Sequence, residues 1–374
     1  MYKLRGVIFF SLTLLGSSAF AAAYQIFPTL AYDNPATLNT TGKVTAILGA
    51  TDIDVRMKYM GSVGSQSGSA LSSTNTLLPY FRAAYRVDPK WVVSFDISHP
   101  ALANISYPAT SIVSPVVINT IIKDTNYSPK FSYQMNDTLA IGLGFDVNEI
   151  SDAQPNFGGP PLGKMVNKSA GLNYGWDTGL AYKLNKTNFL SVSYYSEIKF
   201  DHLAGYSQQG PVYQPNFSDN ITFPATWTLN LVHQPTSLWT IVETVRYIQW
   251  SVEQDLTLTN SAGGNISLPL NYNDSWSALL GTRYQLFEHW GLGLAAEYQS
   301  NPQSTTFRPI ALPTASLVIL GASIDYALSS QWTAKLQYAY GFTNPEINRT
   351  TPVVQQGHIN IGVNILDLGL TWKV

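Results

Sequence analysis

The chain has no cysteine and few charged residues. The absence of cysteine among its 374 residues excludes disulfides, thiol catalysis and cysteine-ligated metals. Charged residues make up 12% of the sequence, about half the share usual in soluble domains, while 45% is hydrophobic and 13% aromatic. We therefore expect much of its surface to face something other than water.

The chain also lacks a run of about 20 apolar residues that could form a membrane-spanning helix, apart from its N-terminus. There Lys3 and Arg5 precede the short apolar stretch 7–15, and small residues follow around Ala21. This pattern indicates a secretory signal peptide, residues 1–21, and hence an exported protein. The net charge of −2 and a pI of about 6.2 argue against a nucleic-acid partner.

The rest of the chain repeats one unit, a strand of alternating apolar and polar residues followed by turn residues. Tight turns alternate strictly with long polar loops. Tight turns are predicted at 87–90, 135–137, 184–186, 234–237, 287–289 and 328–330, and long loops at 61–76, 108–125, 148–170, 204–220, 259–273, 301–314 and 343–356. This predicts an all-β fold, a transmembrane antiparallel β-barrel of about fourteen strands over residues 44–374, with both termini at the short-turn end.

Side-chain parity favours a membrane barrel but does not by itself exclude a soluble β-sandwich, which would also alternate. In the segment 331–342, Leu336 shares one face with Trp332, and Lys335 lies on the other. Turn asymmetry and the signal peptide favour the membrane. So do tryptophans that start strands just after tight turns, as in an interfacial girdle, at Trp91, Trp239, Trp290 and Trp332.

Parity places charged residues on the polar face, toward the lumen. The predicted lumen cations are Arg82, Arg86, Lys130, Arg283 and Lys335, with Arg56 and Lys58 on the same face, opposite Asp96, Asp146, Asp177, Glu297 and Asp325. Most should pair across the lumen, and a carboxylate ligand would prefer a cation left partly unpaired. Parity does not identify that cation. The five histidines show no metal-ligand spacing, and we expect no metal and no cofactor.

The third predicted strand is interrupted at Ser98, His99 and Pro100. Proline has no N–H to donate, so it belongs at strand ends, edges or bulges, yet the residues after it resume a strand pattern. The residues alone leave two interpretations open. The interruption is either an opening in the barrel wall or an ordinary bulge near a strand end.

A second unusual feature is an apolar run in the long loop that follows. Ile112, Val113, Val117 and Ile121 lie in a segment otherwise typical of an exposed loop. An exposed apolar run indicates a partner, so we expect an extracellular surface that captures an apolar ligand. Packing against a neighbouring loop is the alternative.

An ordered set of segments resembles the FadL family of outer-membrane long-chain fatty acid transporters. The set consists of Asn34-Pro35-Ala36, "LGATDIDVRMKY", "YSPKFSYQMNDTLAIGLGFDV", "FPATWTLNLVHQPTSLWTIVETVRYIQWS" and "DSWSALLGTRYQLFEHWGLGLAAEY". The resemblance implies a fourteen-stranded barrel with a small N-terminal hatch in the lumen, here residues 22–43 with Asn34, Pro35 and Ala36. It also implies an inward kink of the third strand, here Ser98, His99 and Pro100, that opens the wall beside the hatch. The segment before Asn34 is shorter than the family's usual hatch.

The resemblance implies transport of hydrophobic compounds, most directly long-chain fatty acids, by a monomer in the bacterial outer membrane. Cargo would be captured at the loops, pass through the lumen and leave sideways into membrane lipid. Aromatic hydrocarbons carried by the same route and a porin for polar solutes are the alternatives. An enzyme is not expected, since the sequence has no G-x-S-x-G. We further expect Asn34 to lie at the kink and supply hydrogen-bond partners lost there.

Overall fold

The structure, a computed structural model, describes residues 34–40, 42–159 and 163–374. The predicted signal peptide and the first part of the predicted hatch lie outside the described residues. A short 3-10 helix, Pro35–Thr40, precedes twenty strand segments that form one sheet. No helix in these described ranges is long and apolar enough to span a membrane.

The sheet closes on itself as an antiparallel barrel. Its segments are β1 Val44–Val63, β2 Gln66–Arg86, β3 Trp91–Ser98, β4 Leu102–Ser106, β5 Asn119–Gln134, β6 Leu139–Gly159, β7 Gly163–Lys183, β8 Asn188–Tyr195, β9 Ile198–Gln209, β10 Val212–Phe223, β11 Thr226–Thr236, β12 Trp239–Ile248, β13 Asp255–Ser261, β14 Gly264–Pro269, β15 Ser275–Gln285, β16 Trp290–Gln299, β17 Leu317–Ala327, β18 Trp332–Thr343, β19 Glu346–Arg349 and β20 Gln355–Lys373.

Six pairs of consecutive segments, β3/β4, β8/β9, β10/β11, β12/β13, β14/β15 and β18/β19, each form one wall strand, so the twenty segments make fourteen. The last strand closes the barrel against the first, from Thr45 opposite Lys373 to Val63 opposite Gln355. The prediction of a fourteen-stranded antiparallel barrel is confirmed, and its first strand begins at Val44. A closed ladder pairs its backbone groups between strands, as a wall in lipid requires.

The two ends of the barrel differ as expected, but the longer connections were misjudged. All six tight turns occur where they are predicted. The predicted loop 61–76 is instead mostly strand, because β1 and β2 meet at a two-residue turn at Gly64 and Ser65, with φ of 58° at Gly64. Hairpins likewise occupy much of 204–220 and 259–273. Above the membrane both faces of a strand can be polar, so the hydrophobic alternation disappears while the ladder continues.

Two rings of aromatic residues mark the apolar band on the outside of the barrel. Of the four tryptophans that start strands, all but Trp91 are followed eight residues later on the same face by a tyrosine, as in Trp239 and Tyr247 on β12 or Trp290 and Tyr298 on β16. All four side chains are exposed. Eight residues at about 3.3 Å span roughly 26 Å along the strand, close to the apolar height of such barrels.

Candidate functional site

The wall is interrupted between β2 and the third wall strand. β2 pairs with β3 from Arg86 opposite Val92 to Phe81 opposite Ile97, and among the described residues no ladder joins β2 to β4. On the other side β5 pairs with both segments, with Ser98 opposite Asn126. The third wall strand therefore keeps one neighbour along its whole length and loses the other beyond residue 98.

The interruption is a bulge that reverses side-chain parity. Three residues, 99–101, oppose the two residues 124 and 125 of β5, because Leu102 pairs with Lys123. The even-numbered residues of β3 point into the lumen, whereas in β4 the odd-numbered Ala103 and Ile105 are buried. An extra residue in one strand is the definition of a β-bulge, and here the bulge turns β4 away from the ladder of β2.

His99 connects the two flanking strands across the bulge. Its Nε2 lies 2.9 Å from the carbonyl oxygen of Pro79 on β2, and its Nδ1 lies 2.7 Å from that of Asp124 on β5. Pro79 is itself unable to donate a ladder hydrogen bond. The imidazole thus bridges backbone groups at the lower corner of the interruption.

Above that corner, side chains replace the missing ladder. Asn104 of β4 donates from Nδ2 to Thr76 Oγ1 at 2.8 Å and to the Asn75 carbonyl at 3.3 Å. Thr74 Oγ1 donates to the Asn104 carbonyl at 2.5 Å, and the Ser106 N–H donates to Ser72 Oγ at 2.9 Å. Backbone groups that would otherwise be left unpaired are satisfied by side chains that can rotate away.

Apolar side chains line the lumen from the long-loop end down to this interruption. The upper apolar cluster consists of Met57, Tyr59, Val63, Ala70, Ile105, Tyr107, Val113, Val117, Ile310, Ile347 and Ile359. The middle apolar cluster consists of Ile53, Leu78, Ile319, Ala339 and Ile365, with Leu102 packed against it. Val55 packs against both clusters. The two clusters form a continuous apolar surface that ends beside β4.

A buried polar layer begins directly below the middle apolar cluster. Asp367 accepts hydrogen bonds from Thr51 Oγ1 at 2.7 Å and from Tyr80 and Gln337 at 3.3 Å each. Nearby, Arg82 Nε lies 3.3 Å from Asp96 Oδ1. This polar layer makes the lower lumen a poor environment for hydrocarbon, since burying apolar groups against ions leaves the ions less well solvated.

Three of the predicted lumen cations, Arg82, Lys130 and Arg283, are held by ion pairs within this layer. Lys130 Nζ lies 3.1 Å from Asp96 Oδ2 and 3.9 Å from Asp177 Oδ2, and its side chain is 2% exposed. Arg283 forms a bidentate pair with Asp325, and Lys335 lies opposite Asp325 in the register. Arg86 is half-buried beside the β2–β3 turn, where its Nη1 donates to the Pro89 carbonyl. Arg246 pairs with Glu297 at 2.9 Å.

The lumen position predicted for Arg56 and Lys58 is wrong. Both lie on the outer face of β1, beyond the level of the tyrosine ring, and Arg56 Nε pairs with Asp54 at 3.1 Å with 69% of its side chain exposed. The inner face of this part of β1 carries Ile53, Val55 and Met57. At this level the lumen is apolar and the exterior faces water. Polar side chains therefore lie on the outside and apolar side chains on the inside, the reverse of the arrangement within the membrane.

The Asn-Pro-Ala element docks inside the barrel on a platform of strands that have glycine at the contact positions. Asn34 Nδ2 donates to the carbonyl oxygens of Val192 at 2.9 Å and Leu180 at 3.3 Å, and its Oδ1 accepts from the Ala36 N–H at 2.9 Å. A Cβ at Gly179 would overlap Asn34 Oδ1, and a Cβ at Gly142 would overlap the backbone of Pro35 and Ala36. The element and the strand glycines fit each other closely.

The expectation that Asn34 would replace hydrogen bonds lost at the kink is wrong. Its amide serves carbonyls of β7 and β8, and the kink is bridged by His99 instead. The 3-10 helix does reach the third wall strand lower down, where Leu38 packs with Ala84 and Val92. The backbone groups left without ladder partners at the bulge are therefore satisfied locally, within the flanking strands, and not by the hatch.

The apolar run in the 107–118 loop is not an exposed surface. Val113 and Val117 are 0% and 1% exposed and belong to the upper apolar cluster, with Ile112 packed against it, so packing among loops, the alternative, is what the structure contains. Ile121 is half-buried on β5. The residues fold inward because Ile310 of loop 300–316 and the upper ends of β1 and β20 offer them an apolar partner.

Comparison with known proteins identifies the family. A model of the family described as Outer membrane protein transport protein (OMPP1/FadL/TodX) matches residues 17–357. The chain belongs to the FadL family. Its members transport hydrophobic compounds across the outer membrane and are not enzymes. The FadL-family chain is 23% identical to a long-chain fatty acid transport protein of Salmonella typhi, covering 88% of this chain and 86% of that one.

Other FadL-family proteins agree in sequence and fold. A long-chain fatty acid transport protein of Escherichia coli K12 is 22% identical, covering 88% of this chain and 87% of that one. The crystal structure of a Pseudomonas aeruginosa FadL homologue superposes with a TM-score of 0.83 at 17% identity, covering 92% and 94% of the two chains. That of the Pseudomonas putida toluene transporter TodX gives 0.70 at 17% identity, covering 91% of each. The barrel is thus the fold of solved FadL-family transporters.

Proposed function

We propose that this FadL-family chain carries long-chain fatty acids inward from the outer surface and releases them sideways into the membrane through the interruption between β2 and β4. The curated relatives named as long-chain fatty acid transport proteins support this cargo. The lateral route is supported by one observation, the missing ladder between β2 and β4 beside the end of the apolar surface.

The order of the lumen surfaces gives the physical reason for a sideways exit. An acyl chain that moves down from the upper to the middle apolar cluster stays in apolar surroundings, a gain of about 0.8 kcal/mol per buried methylene. One step lower it would meet Asp367, Arg82 and Asp96. At that level the wall beside the interruption consists of Leu102 and the side-chain hydrogen bonds of Asn104. Breaking a few side-chain hydrogen bonds costs less than displacing a buried charge network.

Capture is proposed at the upper apolar cluster. Its members come from loop 107–118, loop 300–316 and the strand ends, so they separate if the loops move apart. Ile112 and Val116 lie at its edge, only partly buried. In this proposal the loops cover the apolar surface without cargo, and an acyl chain takes the place of loop side chains when it binds. The hatch, docked through Asn34, closes the lumen below.

The test removes the bulge and leaves everything above it unchanged. Deleting Pro100 and replacing His99 by Thr leaves two residues opposite 124 and 125, which restores both register and parity between β3 and β4. We expect this repaired wall to abolish oleate uptake into proteoliposomes while oleate binding in detergent stays within about twofold of the unaltered protein. A matched control replaces His99 by Thr without the deletion and keeps the bulge.

Uptake by the repaired wall at the unaltered rate would contradict the lateral route. Sucrose entry into liposomes in a swelling assay would favour the polar-solute porin instead. The repaired protein must also migrate as a folded barrel on unheated gels, so that loss of uptake is not loss of folding.

Aromatic hydrocarbons are a second candidate cargo, favoured by the ion pairing of the lumen. Lys130, Arg283 and Arg82 all contact carboxylates of the protein, so these three cations are already balanced, and a neutral cargo needs no cation. The fold is also that of toluene transporters. Uptake of toluene with no uptake of oleate would decide for this candidate. The outward route through the wall would be the same for both.

A further inference from the structure

Arg349 is a buried cation at the top of the lumen. It is the last residue of β19 and points inward, on the same face as Ile347 of the upper apolar cluster. The residue is 1% exposed. It lies nine residues beyond Tyr340 of the upper aromatic ring, hence outside the apolar band. Sequence parity did not identify it, because this segment reads as a polar loop.

Among the residues that the structure describes, no carboxylate balances this charge. Arg349 donates from Nε to the Thr351 carbonyl at 2.7 Å and from Nη1 to the Pro269 carbonyl at 3.1 Å and to the Phe307 carbonyl. Its buried Nη2 has no hydrogen-bond partner. Within the described ranges, no Asp or Glu oxygen lies within 4.0 Å of the guanidinium. Burial lowers the pKa of Arg349, and no acidic neighbour offsets the effect.

Arg308 provides an internal comparison. It is also buried, and its guanidinium donates to the carbonyls of Thr314, Gln303 and Glu346 and to Asn301 Oδ1. All of its nitrogens are used, and the acid Glu346 partly offsets the lowering of the Arg308 pKa by burial. Arg308 therefore ties loop 300–316 to β19, whereas Arg349 keeps an unused donor beside an apolar surface.

We propose that Arg349 binds the carboxylate of an anionic amphiphile whose hydrocarbon chain lies in the upper apolar cluster. This inference rests on the proposed function and names the feature that would select a fatty acid over a neutral hydrocarbon. Arg349 Nη2 donates to the carboxylate, and the carboxylate replaces the Phe307 carbonyl when loop 300–316 moves. A hydrogen bond to an ionised acceptor is about twice as strong as one to a neutral carbonyl, which favours the exchange.

The arrangement places head and tail at the right distance from each other. Ile347 lies two residues before Arg349 on the same strand face, and Ile359 and Ile310 lie in the same cluster. The hydrocarbon chain attached to the bound carboxylate therefore enters apolar surroundings within the two-residue spacing between Arg349 and Ile347. The cation supplies specificity at the mouth, before the ion-paired part of the lumen is reached.

The experiment compares oleate with oleyl alcohol, which has the same chain and a neutral head. Binding of each to the full chain in detergent is measured at pH 8, where oleate is ionised, for the unaltered protein and for Arg349→Gln, Arg349→Lys and Arg308→Gln. We expect the unaltered protein to prefer oleate by roughly tenfold, which corresponds to about 1.4 kcal/mol. Arg349→Gln should remove the preference by weakening oleate binding alone, and Arg349→Lys should keep most of it.

Arg308→Gln serves as the matched control. It loosens the same loop without touching the unused donor, so it should change binding of both ligands by the same factor and leave the preference intact. An undiminished oleate preference in Arg349→Gln would overturn the inference, as would equal loss of both ligands in that variant. If the unaltered protein binds neither oleate nor oleyl alcohol, the proposed function fails instead. Folded migration on unheated gels is required of every variant.

Discussion

Replacing Gly179 by alanine should release the hatch from its platform. The added Cβ would overlap Asn34 Oδ1 and lie 2.7 Å from Cγ, so the Asn34 side chain must leave its position. It then loses its hydrogen bonds to Val192 and Leu180, and that from Ala36. At about 1 kcal/mol net per hydrogen bond, docking is weakened by roughly 2–3 kcal/mol. This corresponds to a roughly 30- to 150-fold larger undocked population.

The natural absence of cysteine makes this population measurable. Leu38 is 5% exposed in the docked helix, so a Leu38→Cys thiol should react with a maleimide only when the hatch undocks. The labelling rate should rise by the factor above in Gly179→Ala, provided that docking and undocking are fast relative to labelling. Gly281→Ala is the matched control, because its Cβ would meet nothing closer than 3.6 Å and labelling should not change.

A double-mutant cycle separates the clash from the hydrogen bonds. Asn34→Ala removes the same hydrogen bonds without any overlap, and alanine at position 179 then has no Asn34 side chain to displace. We expect the double variant to label at the rate of Asn34→Ala alone, a strongly non-additive result. Unchanged labelling in both single variants would show that Asn34 does not hold the hatch, and additive effects would show that Gly179 acts elsewhere.

Three further outcomes are expected. Leu294 is 63% exposed at an outward position in the middle of β16. Leu294→Arg should lower the free energy of unfolding in lipid vesicles by roughly 2–4 kcal/mol, far more than Leu294→Ala, as measured by denaturant titration. A small decrease would contradict the lipid-facing assignment. Lys130→Met should cost roughly 3–5 kcal/mol, because it removes the cation beside Asp177 and leaves Asp96 with Arg82 alone, and adding Asp177→Asn should restore part of the loss. Glu253 lies beyond the upper aromatic ring, and burial raises its pKa from 4.5 to about 7, so the fold favours the protonated form. Thermal stability should therefore fall as pH rises from 4.5 to about 7, and Glu253→Gln should remove that dependence.

The barrel could be predicted from the sequence because it follows from local rules. Each outward strand face must be apolar, and tight turns carry recognisable residues, so Leu336 was placed correctly on the outer face and Asp146 on the inner face. Prediction failed beyond the membrane, where the outer face of a strand meets water instead of lipid. Beyond the membrane the hairpin around Gly64 shows no alternation, and Arg56 lies outside because the lumen beside it is apolar.

The site was less predictable because its contacts join distant parts of the chain. The interruption at His99 and Pro100 was visible in the sequence, since proline cannot serve a ladder. The partners of Asn34 on β7 and β8 were not, because they depend on where the hatch lies in a closed lumen. Arg349 was missed because a buried, unbalanced cation in a segment of loop-like composition carries no periodic signal. The hatch and capture roles remain proposals.

The seam between β1 and β20 has a consequence for how the chain is made. Thr45 pairs with Lys373 and Val63 with Gln355, so the two strands that close the wall are the first and the last of the barrel in chain order. Pairs this distant in sequence form slowly, and until they form β1 presents a long unpaired edge. A nascent or truncated chain without β20 would expose two open edges, which the bilayer interior does not tolerate. β20 therefore acts as a check on the barrel, since the wall can close and remain in the membrane only when all fourteen strands are present.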